Sequence, residues 1–205
     1  MIKLQTYKIF STLLSYPNDE LKNSINSTQE ILKNEKILSD SSLKSMDEFI
    51  FYIKKNNLLF LQESYVSIFD RQKHFSLYLF EHIHGDSKER GMAMIDLNDL
   101  YKKSNFEILK QNELPDFIPV FLEYLSLISK EQASLLLGEI INIITTLRIR
   151  LNVIKSPYYI IFSILESLSN IKPDEKIIKK ISKDKTFLTT SSFEIDKNWK
   201  EDKIF

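Results

Sequence analysis

Apolar residues in the first third of the chain recur at helical spacing, in four stripes separated by short polar stretches. The stripes are Tyr7, Phe10, Leu13 and Leu14; Leu21, Ile25 and Leu32; Leu43, Met46, Phe49, Ile50 and Ile53; and Leu61, Tyr65, Ile68 and Phe69. Apolar residues three and four positions apart share one face of an α-helix. Sustained alternation at a period of two, which is typical of a half-buried strand, is absent. The pattern predicts four successive helices.

The stretch "SLYLFEHIH" (76–84) predicts a further helix that ends at Gly85, since glycine tolerates the positive φ of a C-terminal cap. Asp86 or Ser87 would then cap the next helix. Gly91 falls one turn into that helix, and its missing side chain predicts a close approach by a neighbouring helix.

The remaining pattern is also helical. "NELPDFIP" predicts a helix with Pro115 near its first turn, and residues 130–155 predict one long central helix. After Pro173 we expect one short basic helix and then a Ser/Thr-rich segment. The chain as a whole is expected to be all-α, a single-domain bundle of about eight to nine helices over residues 1–185, with a mobile tail over 186–205.

Composition narrows the functional classes. The 205 residues contain 28 Lys+Arg, 28 Asp+Glu and no cysteine. Nucleic acid is not an expected partner, because a sequence-independent grip on it needs a clear basic excess. Disulfides, iron–sulfur clusters and cysteine-based zinc sites are excluded. We expect no direct membrane insertion, since the most apolar run, 133–147, is short and contains Glu139 and Asn142. A cytoplasmic location is expected.

Glu81, His82, His84 and Asp86 form the most polar cluster in an otherwise apolar region. As a metal site the cluster is incomplete. Histidines two positions apart point away from each other on a helix, and Glu81 and His84 alone fall short of the three or four ligands that zinc or iron needs. No nucleophile motif or phosphate-binding glycine loop accompanies it. A polar corner between two helices is favoured, and a helical-bundle metal protein or enzyme with its site here is the alternative.

Three stretches carry a family resemblance. "YVSIFD" (65–70), "SLYLFEHIHGDSKERGMAMIDLNDLY" (76–101) and "NELPDFIPVFLEYLS" (112–126) closely resemble the NarJ-like cofactor-assembly chaperones of respiratory nitrate reductase. These belong to the TorD-like redox-enzyme maturation chaperones. "LLSYPNDEL" and "NWKEDKIF" extend the resemblance to nearly the whole chain.

The resemblance implies an all-helical chaperone that is not an enzyme and has no resident cofactor or metal. Such a chaperone binds the N-terminal segment of the apo catalytic (alpha) subunit of nitrate reductase. It promotes insertion of the molybdenum cofactor and assembly of the complex, and it leaves before the finished enzyme works. Molybdenum cofactor biosynthesis proteins are expected as further partners.

The resemblance also implies where the partner peptide binds. The family's tyrosine-led motif is matched by Tyr65 and Phe69, with Ile68 in place of leucine. Its acidic motif is matched by residues 113–117, although the proline is displaced by one position and Phe117 replaces a histidine. The full set of expected peptide-binding residues is Tyr65, Phe69, His82, Asp86, Arg90, Glu113, Leu114, Asp116 and Phe117. Tyr78 and Phe80 are further candidates for apolar walls, and Asp116 has capping of a helix as its alternative role.

Overall fold

A computed structural model of the chain describes residues 4–83, 88–108 and 113–183 and contains ten α-helices in these ranges. They are α1 Gln5–Leu13, α2 Asp19–Glu35, α3 Asp40–Lys55, α4 Leu58–Tyr65, α5 Lys88–Lys103, α6 Ile118–Leu125, α7 Lys130–Glu139, α8 Ile141–Val153, α9 Tyr159–Leu168 and α10 Glu175–Lys183. A π-helical turn, Val66–Asp70, continues α4, and two 3-10 turns follow at Lys73–Phe75 and Leu79–Glu81. No strand is present in the described ranges, and the all-α prediction is confirmed.

Polar side chains fix where several helices begin. Asn18 accepts a hydrogen bond from the Leu21 amide at the start of α2, and Asn57 accepts one from the Phe60 amide at the start of α4. Ser129 and Gln132 form a reciprocal capping box at the start of α7. Each arrangement satisfies amide donors that the first turn of a helix leaves without a partner.

The start of α1 is capped from another helix. Its own N-cap residue, Leu4, has no side-chain acceptor. Instead the Glu35 carboxylate, at the end of α2, accepts hydrogen bonds from the amides of Gln5 and Thr6 at 2.7 and 2.6 Å. The capping carboxylate therefore also joins the first two helices.

The core lies where α1 packs on α6 and where α8 packs along α9. α2 packs against both α1 and α3, and α10 covers α8. Fully buried large side chains include Phe10, Phe49, Tyr101, Tyr158 and Phe162. None of the helices in the described ranges combines the length and apolar character needed to cross a bilayer.

The single helix predicted over 130–155 is wrong, because the chain forms two helices that meet at Ile140. α7 contacts α6 and α9, while α8 runs along α9. Leu137 and Ile141, on either side of the break, are both buried, so hydrophobicity alone does not mark the break.

The helix predicted over 76–84 is also wrong in its described part. Tertiary hydrogen bonds take the place of helical ones, since the Leu79 amide donates to the Asp116 carbonyl and the Leu77 carbonyl accepts from the Ile118 amide. An isolated antiparallel bridge pairs Tyr78 with Phe117.

Two further expectations need correction. The helix expected at Pro115 begins at Ile118, and Pro119, not Pro115, occupies its first turn. Gly91 faces open space, because a Cβ atom added there would meet no heavy atom within 4 Å. Among the described residues, therefore, no neighbouring helix approaches it.

The predicted C-cap at Gly85, the predicted cap at Asp86 or Ser87, and the predicted tail over 186–205 lie outside the described residues. The short basic helix predicted after Pro173 is confirmed as α10.

Candidate functional site

A pocket of about 270 Å³ opens beside the π-helical turn. Four chain segments meet there: the link after α1, the π turn with the end of α4, the segment before the second 3-10 turn, and the segment before α6. Its lining residues are Tyr16, Tyr65, Phe69, Asp70, Leu77, Tyr78, Glu113 and Phe117. The walls are mainly aromatic, and Asp70 and Glu113 add carboxylates.

The π turn determines which side chains reach the pocket from the "YVSIFD" stretch. Its closing hydrogen bond runs from the Arg71 amide to the Val66 carbonyl, five residues earlier, at 3.1 Å. A π turn is wider than an α-helical turn and commonly occurs at functional sites. The wider turn leaves Tyr65, Phe69 and Asp70 together on the pocket side.

Tyr65 anchors the pocket floor. Its hydroxyl donates to the Leu14 carbonyl at 3.0 Å, and its ring packs edge-on against Tyr16 and tilted against Phe69. Burial raises the pKa of Tyr65 well above its ordinary value, with the nearby Asp70 carboxylate adding to the effect. The phenol therefore stays protonated and remains a hydrogen-bond donor.

Tyr78 and Glu113 form the polar part of the wall. The Tyr78 hydroxyl donates to Glu113 Oε1 at 3.2 Å, and the Tyr78 ring packs against Phe117 at a centroid distance of 5.1 Å. Burial, followed by the charge of Glu113 and this hydrogen bond, raises the pKa of Tyr78 to about 12. Asp116 and Asp70 act in the same direction.

Asp116 lies behind this wall and has no exposed surface. Its Oδ2 atom accepts from the Phe80 amide at 3.0 Å, and its Oδ1 atom is buried without a hydrogen-bond partner among the described residues. Burial raises the pKa of Asp116, against the opposing effects of the Phe80 amide and Arg90. Since α6 begins after Phe117 with no side-chain cap, Asp116 does not cap it.

Arg90 pairs with acids, as expected. One terminal nitrogen of its guanidinium lies 3.7 Å from Glu81 Oε1 and 3.9 Å from Asp116 Oδ2. The pairing joins α5 to the two segments that flank the pocket. The partly exposed Arg90–Glu81 pair contributes little stability by itself. The Asp116 carboxylate is buried, so the nearby Arg90 charge offsets part of the cost of burying it.

His82 is turned toward the protein interior. Its Nε2 atom lies 2.8 Å from the Ser76 carbonyl, which can only accept, so Nε2 carries the proton. Burial lowers the pKa of His82, and the positive charge of Arg150 adds to this, while the contact with the Ser76 carbonyl opposes it.

The structure brings four of the sequence-predicted residues, Tyr65, Phe69, Glu113 and Phe117, into one pocket. Asp116, Arg90 and His82 lie around it without lining it, and Leu114 is 42% exposed beside Glu113. Asp86 lies outside the described residues. Of the two further candidates for apolar walls, Tyr78 lines the pocket and Phe80 does not.

Tyr16, Asp70 and Leu77 line the pocket but were not among the predicted site residues. Tyr16 is half exposed, and its place in the sequence, just before Pro17, gives no hint of a site. Asp70 directly follows the tyrosine-led motif. It could have been chosen as a pocket residue only with knowledge of the π turn.

The alternative metal site receives no support from the part of the cluster that the structure describes. Glu81 faces Arg90, and His82 is bound to the Ser76 carbonyl. His84 and Asp86 lie outside the described residues. Within the described ranges no group of three or more metal-ligating side chains converges.

Comparison with known proteins identifies the family. Residues 38–162 match the nitrate reductase delta subunit family. The chain is 32% identical over 197 residues to the nitrate reductase molybdenum cofactor assembly chaperone NarJ of Escherichia coli K12, covering 96% of this chain and 82% of that protein. This chain belongs to the nitrate reductase delta subunit family. It is 29% identical over 202 residues to NarW of the same strain, which is assigned to the same role, with 98% of this chain and 83% of NarW covered. Both relatives are named as assembly chaperones and not as enzymes.

The fold has a solved counterpart. A crystal structure from Archaeoglobus fulgidus, of a protein assigned as a redox enzyme maturation protein, superposes with a TM-score of 0.56 and 19% identity. The match covers 78% of this chain and 90% of that one. At this identity the match establishes the shared helical fold, in agreement with the fold class expected from the sequence.

Proposed function

We propose that this family member is a chaperone for molybdenum cofactor assembly of nitrate reductase, and that it binds the N-terminal segment of the apo alpha subunit. It holds that subunit ready for cofactor insertion and leaves before the enzyme works. It is an assembly factor rather than an enzyme, as its relatives' names indicate. We place it in the cytoplasm, in keeping with a chain that lacks cysteine.

The observation that carries the proposal is the shared pocket. The two stretches that resemble the chaperone motifs are more than 40 residues apart, with Phe69 in one and Glu113 in the other, yet both line the same cavity. An aromatic pocket with a few oriented polar groups is the usual form of a site for a small apolar anchor. A peptide that folds against a groove places its anchor residues in such pockets.

The described residues divide into two roles in this proposal. Tyr65, Phe69 and Phe117 supply apolar contact, and Glu113 supplies a charged contact. Asp116, Arg90 and His82 hold the pocket-lining segments from behind through the contacts described above. Leu114 and Asp86 remain proposed contacts at the edge of the site.

Calorimetry with a synthetic peptide tests the proposal. The peptide is the N-terminal segment of the nitrate reductase alpha subunit from the same genome, and a scrambled peptide of equal composition is the reference. We expect the native peptide to bind. We expect Phe117→Ala to lower the affinity for this peptide, because Phe117 lines the pocket. Phe51→Ala is the matched control, since Phe51 is 65% exposed and does not line the pocket.

The outcomes separate clearly. Equal binding of native and scrambled peptides would refute recognition of this segment. Equal loss of affinity in the Phe117 and Phe51 variants would place the peptide elsewhere on the surface. Melting curves of both variants show whether either substitution acts through unfolding.

A further inference from the structure

The pocket combines aromatic walls with two carboxylates that have no cationic partner among the described residues. None of the ion pairs formed among the described residues includes Asp70 or Glu113. Both carboxylates line the same cavity. An opposite charge placed in this pocket would interact favourably with each carboxylate.

Glu113 is held in position within the pocket. The Tyr78 hydroxyl donates to Glu113 Oε1 at 3.2 Å, and this hydroxyl is the only side-chain donor to the carboxylate among the described residues. Glu113 Oε2 forms no hydrogen bond within the described ranges. Asp70 is an exposed residue on the pocket side of the π turn, and its carboxylate accepts no hydrogen bond from any described residue.

The electrostatic influence of the two carboxylates overlaps. Asp70 and Glu113 both raise the pKa of Tyr65 and of Tyr78, although burial is the larger cause in each case. Burial also raises the pKa of Asp70 itself. The negative potential is therefore concentrated at the pocket, where apolar walls limit its screening by water.

We propose that Asp70 and Glu113 together form a seat for one basic side chain of the bound segment, and that Asp70 is a specificity-determining residue of the site. This proposal rests on the proposed function. An arginine or lysine matches both halves of the pocket: its alkyl stem packs on aromatic rings such as Tyr16 and Phe117, and its charged end reaches the carboxylates. A wholly apolar side chain would leave both carboxylates without a partner, and an acidic one would be repelled.

The test pairs neutral variants of the chaperone with neutral variants of the peptide. The chaperone variants are Asp70→Asn and Glu113→Gln, which keep size and, for Gln, an oxygen that can accept from Tyr78. Asp96→Asn is the matched control, because Asp96 is exposed on α5 and does not line the pocket. The probe is the synthetic N-terminal peptide of the alpha subunit, measured beside versions in which each arginine is citrulline or each lysine is acetyl-lysine.

We expect Asp70→Asn to weaken binding of the native peptide by ~5-fold at low salt, as for a half-exposed charge pair. The loss should shrink at high salt, because exposed charges are screened. One neutralised peptide should bind wild type correspondingly more weakly and should no longer distinguish wild type from Asp70→Asn. Asp96→Asn should behave as wild type with every peptide.

The outcomes distinguish this inference from the function on which it rests. If no peptide binds the wild-type chain, the proposed function itself fails. If the native and neutralised peptides bind wild type equally well, the segment binds without a basic seat and only this inference is overturned. A loss produced solely by acetylating the peptide's α-amino group would assign the cation to the chain terminus and also overturn it.

Discussion

Asp116 links the two segments that flank the pocket although it does not line the cavity. Its carboxylate accepts the Phe80 amide, and its carbonyl accepts the Leu79 amide, so one residue fixes two consecutive donors of the opposite segment. A side chain that satisfies a buried amide is costly to remove, because the amide then loses its partner. The acidic motif therefore has a structural component beside any contact with a peptide.

Replacement of Asp116 tests this component. We expect Asp116→Ala to lower the free energy of unfolding by ~1–3 kcal/mol, the usual penalty for an unsatisfied buried donor. Asp116→Asn should cost less, since its amide oxygen can still accept from Phe80. Urea denaturation measures both, with the exposed Asp96→Ala as reference. A midpoint for Asp116→Ala equal to that of the reference would mean that the hydrogen bond contributes no stability.

His82 should make stability depend on pH. Burial lowers the pKa of His82 in the folded chain below the 6.5 of an unperturbed histidine. The unfolded chain therefore binds a proton more readily, and the contribution of neutral His82, complete above pH 6.5, is lost as the pH falls through the folded pKa. We expect the melting temperature to fall over this range and the fall to be smaller in His82→Gln. An identical acid profile for the two proteins would assign the pH dependence to other groups.

At the scale of single elements, α1 depends on a residue of α2. Glu35 accepts the amides of Gln5 and Thr6, so its carboxylate serves as the cap that Leu4 does not provide. Glu35→Ala should lower the free energy of unfolding by ~0.5–2 kcal/mol, as for loss of a helix cap. Glu30→Ala, an exposed position on the same helix, should change it little. Thermal or urea unfolding of the two variants gives the comparison.

The helices that the sequence predicts well are those that follow from the spacing of their own apolar residues. α1 to α4 follow the four apolar stripes, although Ile68 and Phe69 of the fourth stripe lie in the π turn. The segment 76–83 does not form the helix that its apolar spacing predicts, because the Leu79 and Phe80 amides donate to Asp116 in the segment before α6. Leu77 and Leu79 are buried, while Tyr78 and Phe80 are only partly buried. This alternation spans too few residues to be recognised in the sequence against a helical pattern.

Part of the pocket lining could be predicted from the sequence, because some of its residues belong to the two motifs. Tyr65, Phe69, Glu113 and Phe117 could be selected from two short stretches that carry the resemblance, and all four line the pocket. Asp70 could not be selected by helical periodicity, since five residues after Tyr65 lie on different faces of an α-helix. Only the π turn brings the two together, and nothing in "YVSIFD" distinguishes a π turn from an α turn.

At the scale of the whole molecule, the pocket exists only in the folded chain, because its lining comes from residues as distant as Tyr16 and Phe117. No metal ligand cluster occurs in the described ranges to hold these segments together. We therefore expect a chelator to leave the melting temperature unchanged and the purified protein to contain no stoichiometric metal by elemental analysis. A bound metal lost in His82→Ala would revive the alternative site in the Glu81 cluster.

The π turn also makes the number of residues between Tyr65 and Asp70 critical for the pocket. Deleting one residue between Tyr65 and Asp70 would allow an ordinary α-helix to continue, and every later side chain would rotate by ~100° about the helix axis. Most substitutions here alter one contact, whereas a single deletion would redirect Asp70 and the chain that follows it. Natural relatives that keep this pocket should therefore keep the spacing between Tyr65 and Asp70 constant, even where residues that do not line the pocket, such as Val66 and Ser67, differ.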